Sequence, residues 1–209
     1  MRIYLKKRKV LLISYDFSSL VIDTLCKQAL RENAAVACFY FDFATQEEQS
    51  PAAILGSVLK QVVGGLSEIP EGIAKAFQDR GKVIGGQRLA LAEIVEFMQD
   101  ISTSQRTFIC IDALDECPAR QRAKLLDSLN KILQKSPDTR IFLTGRPHIR
   151  DEVELHLAEK AATRPITPTT DDIVIFLQAK LKEDTIPNAM NKILEEEIVK
   201  IIPETFSER

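Results

Sequence analysis

The chain has 209 residues, 45% of them apolar and 28% charged, with a net charge of −2. That is room for one domain, or one with a small appendage, in the balance of a globular protein. The charge gives no general reason to expect nucleic acid or an anionic membrane as partner, and no run reaches the roughly 18 apolar residues of a membrane span, so a cytoplasmic protein is expected. The basic run Lys6–Lys9 reads as a solvated lead-in to the first strand, and the apolar run after it is too short for a signal peptide. Four cysteines show no CxxC spacing; Cys38 and Cys110 fall inside apolar strand candidates and read as reduced core residues. His148 and His156 have no cysteine cluster near them, which argues against a metal site of that kind.

In chain order, residues 9–14 read as a strand. Ser18 or Ser19 then caps a helix with Leu20, Ile22, Leu25, Cys26 and Ala29 on one face. "AAVACFYFDF" (34–43) is a near-continuous apolar run, the pattern of a strand covered on both faces. Ser50 before Pro51 is a helix start, and that helix runs to Gly64–Gly65. Helical stretches near 70–79 and 87–101 lead to "TFICIDAL" (107–114), a second buried strand. Pro118 opens a long amphipathic helix through Leu125, Leu126, Leu129, Ile132 and Leu133. "TRIFLTGR" (139–146) is a third buried strand, and a helix through Val153, Leu155 and Leu157 follows. Buried strands separated by helices predict an α/β fold, a three-layer sandwich on a mostly parallel sheet. After residue 163 the texture changes: "RPITPTTDDI" has room for a short strand, Thr170 or Asp171 caps a helix through Ile173, Phe176, Leu177 and Leu181, and a last helix covers about 188–201.

The strongest chemical signal is "FICIDALDE" (108–116). Ligands of open α/β sheets sit beyond the carboxyl ends of the strands, which is where Asp112, Asp115 and Glu116 fall. An acid there can hold Mg2+, largely through water, and a neighbouring carboxylate can orient an attacking water. The same acids also suit a helix N-terminus, where the dipole favours them. "RIFLTGRPHI" (140–149) places Thr144 and Arg146 at the end of the next strand. Arg146 either reaches the phosphates of a nucleotide held against Asp112 or pairs with an acid such as Asp115.

Together these segments resemble the NACHT branch of the signal-transducing (STAND) P-loop NTPases, and most of all the nephrocystin-like N-terminal NACHT module of fungal ankyrin- or WD-repeat proteins. "SSLVIDTL" and "CFYFDF" look like that module's first helix and second strand, and "PITPTTDDIVIFLQAKL" like its passage into a helical subdomain. The resemblance implies a nucleotide-binding α/β domain over 1–163 and the start of a helical subdomain over 164–209. It implies Mg2+ and ATP or GTP as cofactors, and protein partners or self-association. Asp112 matches the Walker B acid that holds the metal, with Asp115 and Glu116 as the catalytic acidic pair. Arg146 and Thr144 would face the nucleotide. Ser18 or Ser19 would offer it a hydroxyl, although helix capping accounts for these serines better.

The departure from the family pattern is at the junction before "SSLVIDTL". A glycine-rich phosphate loop should stand there, and this chain has Ser14, Tyr15, Asp16 and Phe17, with no Gly and no Lys. Elsewhere Gly81–Lys82 is followed by Val83 and has Ala76 at the first glycine position, and Lys135–Ser136 has no glycines near it. Without the loop there are no convergent N–H groups and no lysine for the β- and γ-phosphates. The chain also stops at "PETFSER", with no repeat region. The expectation is a partial or degenerate module that binds nucleotide weakly or not at all, or an interaction domain that keeps only the fold. No Cys/His or Ser/His/Asp nucleophile constellation supports a small-molecule enzyme.

Overall fold

The computed structural model describes residues 10–13, 18–42, 49–81, 88–157, 160–164, 169–183 and 192–207. The junction Ser14–Phe17 and the Lys82 stretch lie outside them. Five strands are described: β1 (Val10–Ile13), β2 (Ala35–Tyr40), β3 (Thr107–Asp112), β4 (Arg140–Thr144) and β5 (Ala161–Arg164). They form one sheet in the order β2-β3-β4-β1-β5, every neighbouring pair parallel. The helices of the same unit are α1 (Ser18–Glu32), α2 (Pro51–Gly64), α3 (Glu71–Gly81), α4 (Leu91–Ser104), α5 (Ala119–Lys135) and α6 (Arg150–Leu157).

Strand alternation divides the core in two. Ala35, Ala37, Ile109, Ile111, Ile141 and Leu143 join one apolar cluster with the buried faces of α2, α4 and α5. Phe108, Cys110 and Phe142 are buried outside that cluster, on the face where α1 meets β2 and β3 with Val21, Ile22, Leu25 and Ala29. This is the three-layer α/β sandwich that the alternating segments predict. Helix α5 is the best-anchored element: Leu125, Leu126, Leu129, Ile132 and Leu133 are fully buried, each stabilising the fold by roughly 1.5–3 kcal/mol relative to exposure.

Local chemistry sets the element ends. Ser50 Oγ accepts a hydrogen bond from Ala53 N–H at 3.3 Å, and Pro51 fills the first helical position of α2. Helix α4 begins at Leu91, later than the pattern suggests, where the Glu93 carboxylate reaches back to Ala90 N–H at 2.9 Å. Cys26 is exposed, not on the buried face of α1. Leu155 is 78% exposed while Val153 and Leu157 are buried, as the four-residue spacing of a helix face requires. The strand sought in "RPITPTTDDI" lies mostly before it, over Ala161–Arg164. As an edge strand that among the described residues pairs only with β1, it needs backbone ladder bonds more than apolar bulk, and two alanines suffice. At the opposite edge, the Gln61 side chain accepts from Cys38 N–H at 3.0 Å and donates to Cys38 C=O at 2.8 Å.

The connections explain where a site can form. From β1 the chain crosses by α1 to the far edge at β2, then returns through β3 and β4 and passes β1 to reach β5. Neighbouring strands β1 and β4 thus send their connections to opposite faces, and the carboxyl ends of such a strand pair are where open α/β sheets bind ligands. The chain divides into two compact units, residues 1–165 and 166–209. The second contains α7 (Thr170–Glu183) and α8 (Lys192–Ser207), packed on each other.

Candidate functional site

Beyond Asp112 the backbone turns sharply. Ala113 adopts a left-handed conformation (φ 54°, ψ 45°), which costs a non-glycine residue about 1 kcal/mol. The turn buries Leu114 completely and starts a short 3-10 turn, Leu114–Glu116. Thr144, at the end of β4, secures it: its hydroxyl donates to Asp112 Oδ1 and accepts from Ala113 N–H at 2.9 Å. Thr144 is only 3% exposed, so both bonds are shielded from water.

The next contact closes the same end of the sheet. Asp115 Oδ1 accepts from Arg146 N–H at 3.1 Å, and Oδ2 lies 3.3 Å from Arg146 Nε. The Asp115 side chain is 8% exposed and that of Arg146 63%, so the carboxylate is buried beneath its partner. Gly145 permits the approach. A Cβ there would stand 2.6 Å from Ile149 Cδ1 and 3.3 Å from Asp115 Oδ1. Asp112, Asp115, Thr144 and Arg146 are thus gathered at one place, and the pairing of Arg146 with Asp115 is observed. Glu116 is half-exposed, and its carboxylate has no partner among the described residues. Ser18 and Ser19 open α1, but their side chains fall outside the described residues.

A residue that the sequence reading misses supports this end from below. Arg122 on α5 is 8% exposed. Its Nη1 donates to Cys117 C=O at 2.8 Å and Asp115 C=O at 3.3 Å, and its Nε donates to Glu152 of α6 at 2.8 Å. The signal was present: Arg122 sits three, four and seven residues before Leu125, Leu126 and Leu129, a charge on an apolar stripe. Burial pushes the Cys117 thiol up to about 11, against the opposing pull of Arg122. Burial and the Cys38 and Cys26 thiols push Cys110 up to about 12. Neither thiol is a ready nucleophile.

Among the described residues no group of three or more His, Cys, Asp and Glu side chains is arranged to hold a metal. Mg2+ needs few protein ligands because it keeps several waters, so Asp112, with Glu116 nearby in sequence, suits it in charge and donor type. Asp115 is already committed to Arg146. The phosphate side does not fit: no residue of Ser14–Phe17 supplies the lysine, or the glycine backbone freedom, that a phosphate cradle uses.

Residues 17–146 match the family model "Nephrocystin 3, N-terminal". The chain belongs to that family. Solved structures share its fold. The Orc1 protein of Aeropyrum pernix in complex with DNA matches over 98% of this chain and 50% of its own, with 15% identity and a TM-score of 0.51. Cdc6p from Pyrobaculum aerophilum matches over 92% of this chain and 47% of its own, with 12% identity and a TM-score of 0.52. The chain therefore spans about half the length of these structures. No curated protein matches it. This nephrocystin-type chain has a P-loop NTPase-like fold, and its matched span begins at Phe17, so Ser14, Tyr15 and Asp16 precede it.

Proposed function

We propose that this chain is a NACHT-type module descended from an ATP- or GTP-dependent signalling switch, one that binds Mg2+–nucleotide weakly or not at all. Its working partners are proteins, or further copies of itself, in the cytoplasm. The observation that carries this reading is the pairing at the carboxyl ends of β3 and β4. Asp112 is held by Thr144 and Asp115 by Arg146, so the groups expected to face a nucleotide satisfy one another. The sequence "SYDF" agrees, since it offers an acid, Asp16, and neither the lysine nor the glycine of a phosphate loop. The role left to the fold is that of an interaction scaffold, with a helical subdomain over residues 164–209. DNA belongs to the Orc1 structure; a net charge of −2 here supports no such partner.

Calorimetry with Mg2+–ATP and Mg2+–GTP tests the reading. The expected result is no saturable heat and no hydrolysis above background. Micromolar affinity that disappears in Asp112→Ala would overturn it.

A further inference from the structure

The amino-terminal end of the sheet carries a second feature, independent of whether the β3–β4 end binds nucleotide. Helix α2 starts near the carboxyl end of β2, where Gln49 Nε2 donates to Asp42 C=O at 3.1 Å, and runs back to the opposite end. Helix α4 finishes at Ser104, just before β3 begins. Between the residues after α2, the start of α3 and the last turns of α4 lies a cavity of about 390 Å³. That volume falls in the range of about 300–1,000 Å³ typical of binding clefts.

The cavity has an apolar floor and an acidic lip. Leu66, Ile73, Phe97 and Ile101 line it, with Ile73 and Ile101 buried. Glu68 and Asp100 stand on opposite walls, one in the α2–α3 connection and one on α4, and neither carboxylate is ion-paired among the described residues. Among the described residues no lysine or arginine lines it. The apolar surface continues outward: Ile69, next to Glu68, is 59% exposed, and Phe77, one turn beyond Ile73, is 57% exposed. Two large apolar side chains held in water beside a concave apolar floor mark a surface meant to be covered.

We infer that this groove docks an amphipathic helix of a partner protein whose apolar face is flanked by lysine or arginine. The floor takes the apolar anchors at helical spacing, and the cations pair with Glu68 and Asp100. A second copy of this chain docking through the same face would set carboxylates against carboxylates, which disfavours that occupant.

The test uses the full chain and a short fluorescent amphipathic helix of leucine and lysine, read by anisotropy, beside the same peptide with glutamate in place of lysine. Leucine–lysine peptide should bind, and the glutamate version should bind at least about tenfold more weakly, a difference of about 1.4 kcal/mol. Glu68→Lys with Asp100→Lys should reverse the preference, and Phe77→Ser should weaken both peptides. Amide resonances of Phe97 and Ile101 should shift on titration. Three results would overturn the inference. One is an equal loss in a control that reverses Asp23 and Asp151, outside the groove. Another is peptide shifts that avoid α3 and α4. The third is sedimentation showing that the chain itself occupies the groove by dimerising through Phe77.

Discussion

The two ends of the sheet are built on opposite terms. At the carboxyl end of β3 and β4, polar side chains face one another: Asp112 with Thr144, and Asp115 with Arg146 above the Arg122 brace. At the amino end, Ile69 and Phe77 face solvent beside carboxylates that have no cation partner among the described residues. At the first end Asp112 and Asp115 have their bonding capacity committed internally, as buried polar groups require. The second leaves its capacity open. The difference predicts where changes cost stability and where they cost only recognition.

The strongest break is Arg122→Ala. It strands the Glu152 carboxylate and two loop carbonyls, and should cost about 3 kcal/mol, read as a lower denaturant midpoint at unchanged slope; Arg122→Met should recover part of the loss through packing. Next is Gly145→Ala, in which the new methyl meets Ile149 Cδ1. Overpacking of this kind should cost about 2 kcal/mol and loosen the Asp115–Arg146 pair, visible as faster amide exchange at Arg146. The smallest effect sharpens the contrast: Glu68→Lys with Asp100→Lys should leave stability within about 0.5 kcal/mol, because these carboxylates hold nothing in place. If the charge reversal unfolds the chain and Arg122→Ala does not, the assignment of the two ends is inverted.

How much of this could be read from the sequence follows from its physical causes. Strands β3 and β4 announce themselves because burial on both faces demands unbroken apolar runs, as in Phe108–Ile111 and Ile141–Leu143. Strand β2 carries the same kind of run but, at the sheet edge, is not covered on both faces: Val36 and Cys38 are half-buried and Tyr40 is 48% exposed. Strand β5 does not announce itself, because an edge strand of small residues leaves no periodic mark. The acids and Arg146 were legible as a group, since strand ends place residues predictably. Their mutual pairing was open in the sequence, where a nucleotide and a neighbouring acid were equal claimants for the guanidinium. The left-handed turn at Ala113 left no sign, because alanine is not a residue that marks such a turn.

One side chain at the sheet edge has a consequence for assembly. Strand β2 ends the sheet and exposes the outward N–H and C=O groups of its backbone. The Gln61 amide meets both of those groups at Cys38, imitating one residue of a neighbouring strand. An extended segment seeking to lengthen the sheet must first displace that amide at the middle of a six-residue edge. That edge of the sheet is therefore guarded against growing strand by strand.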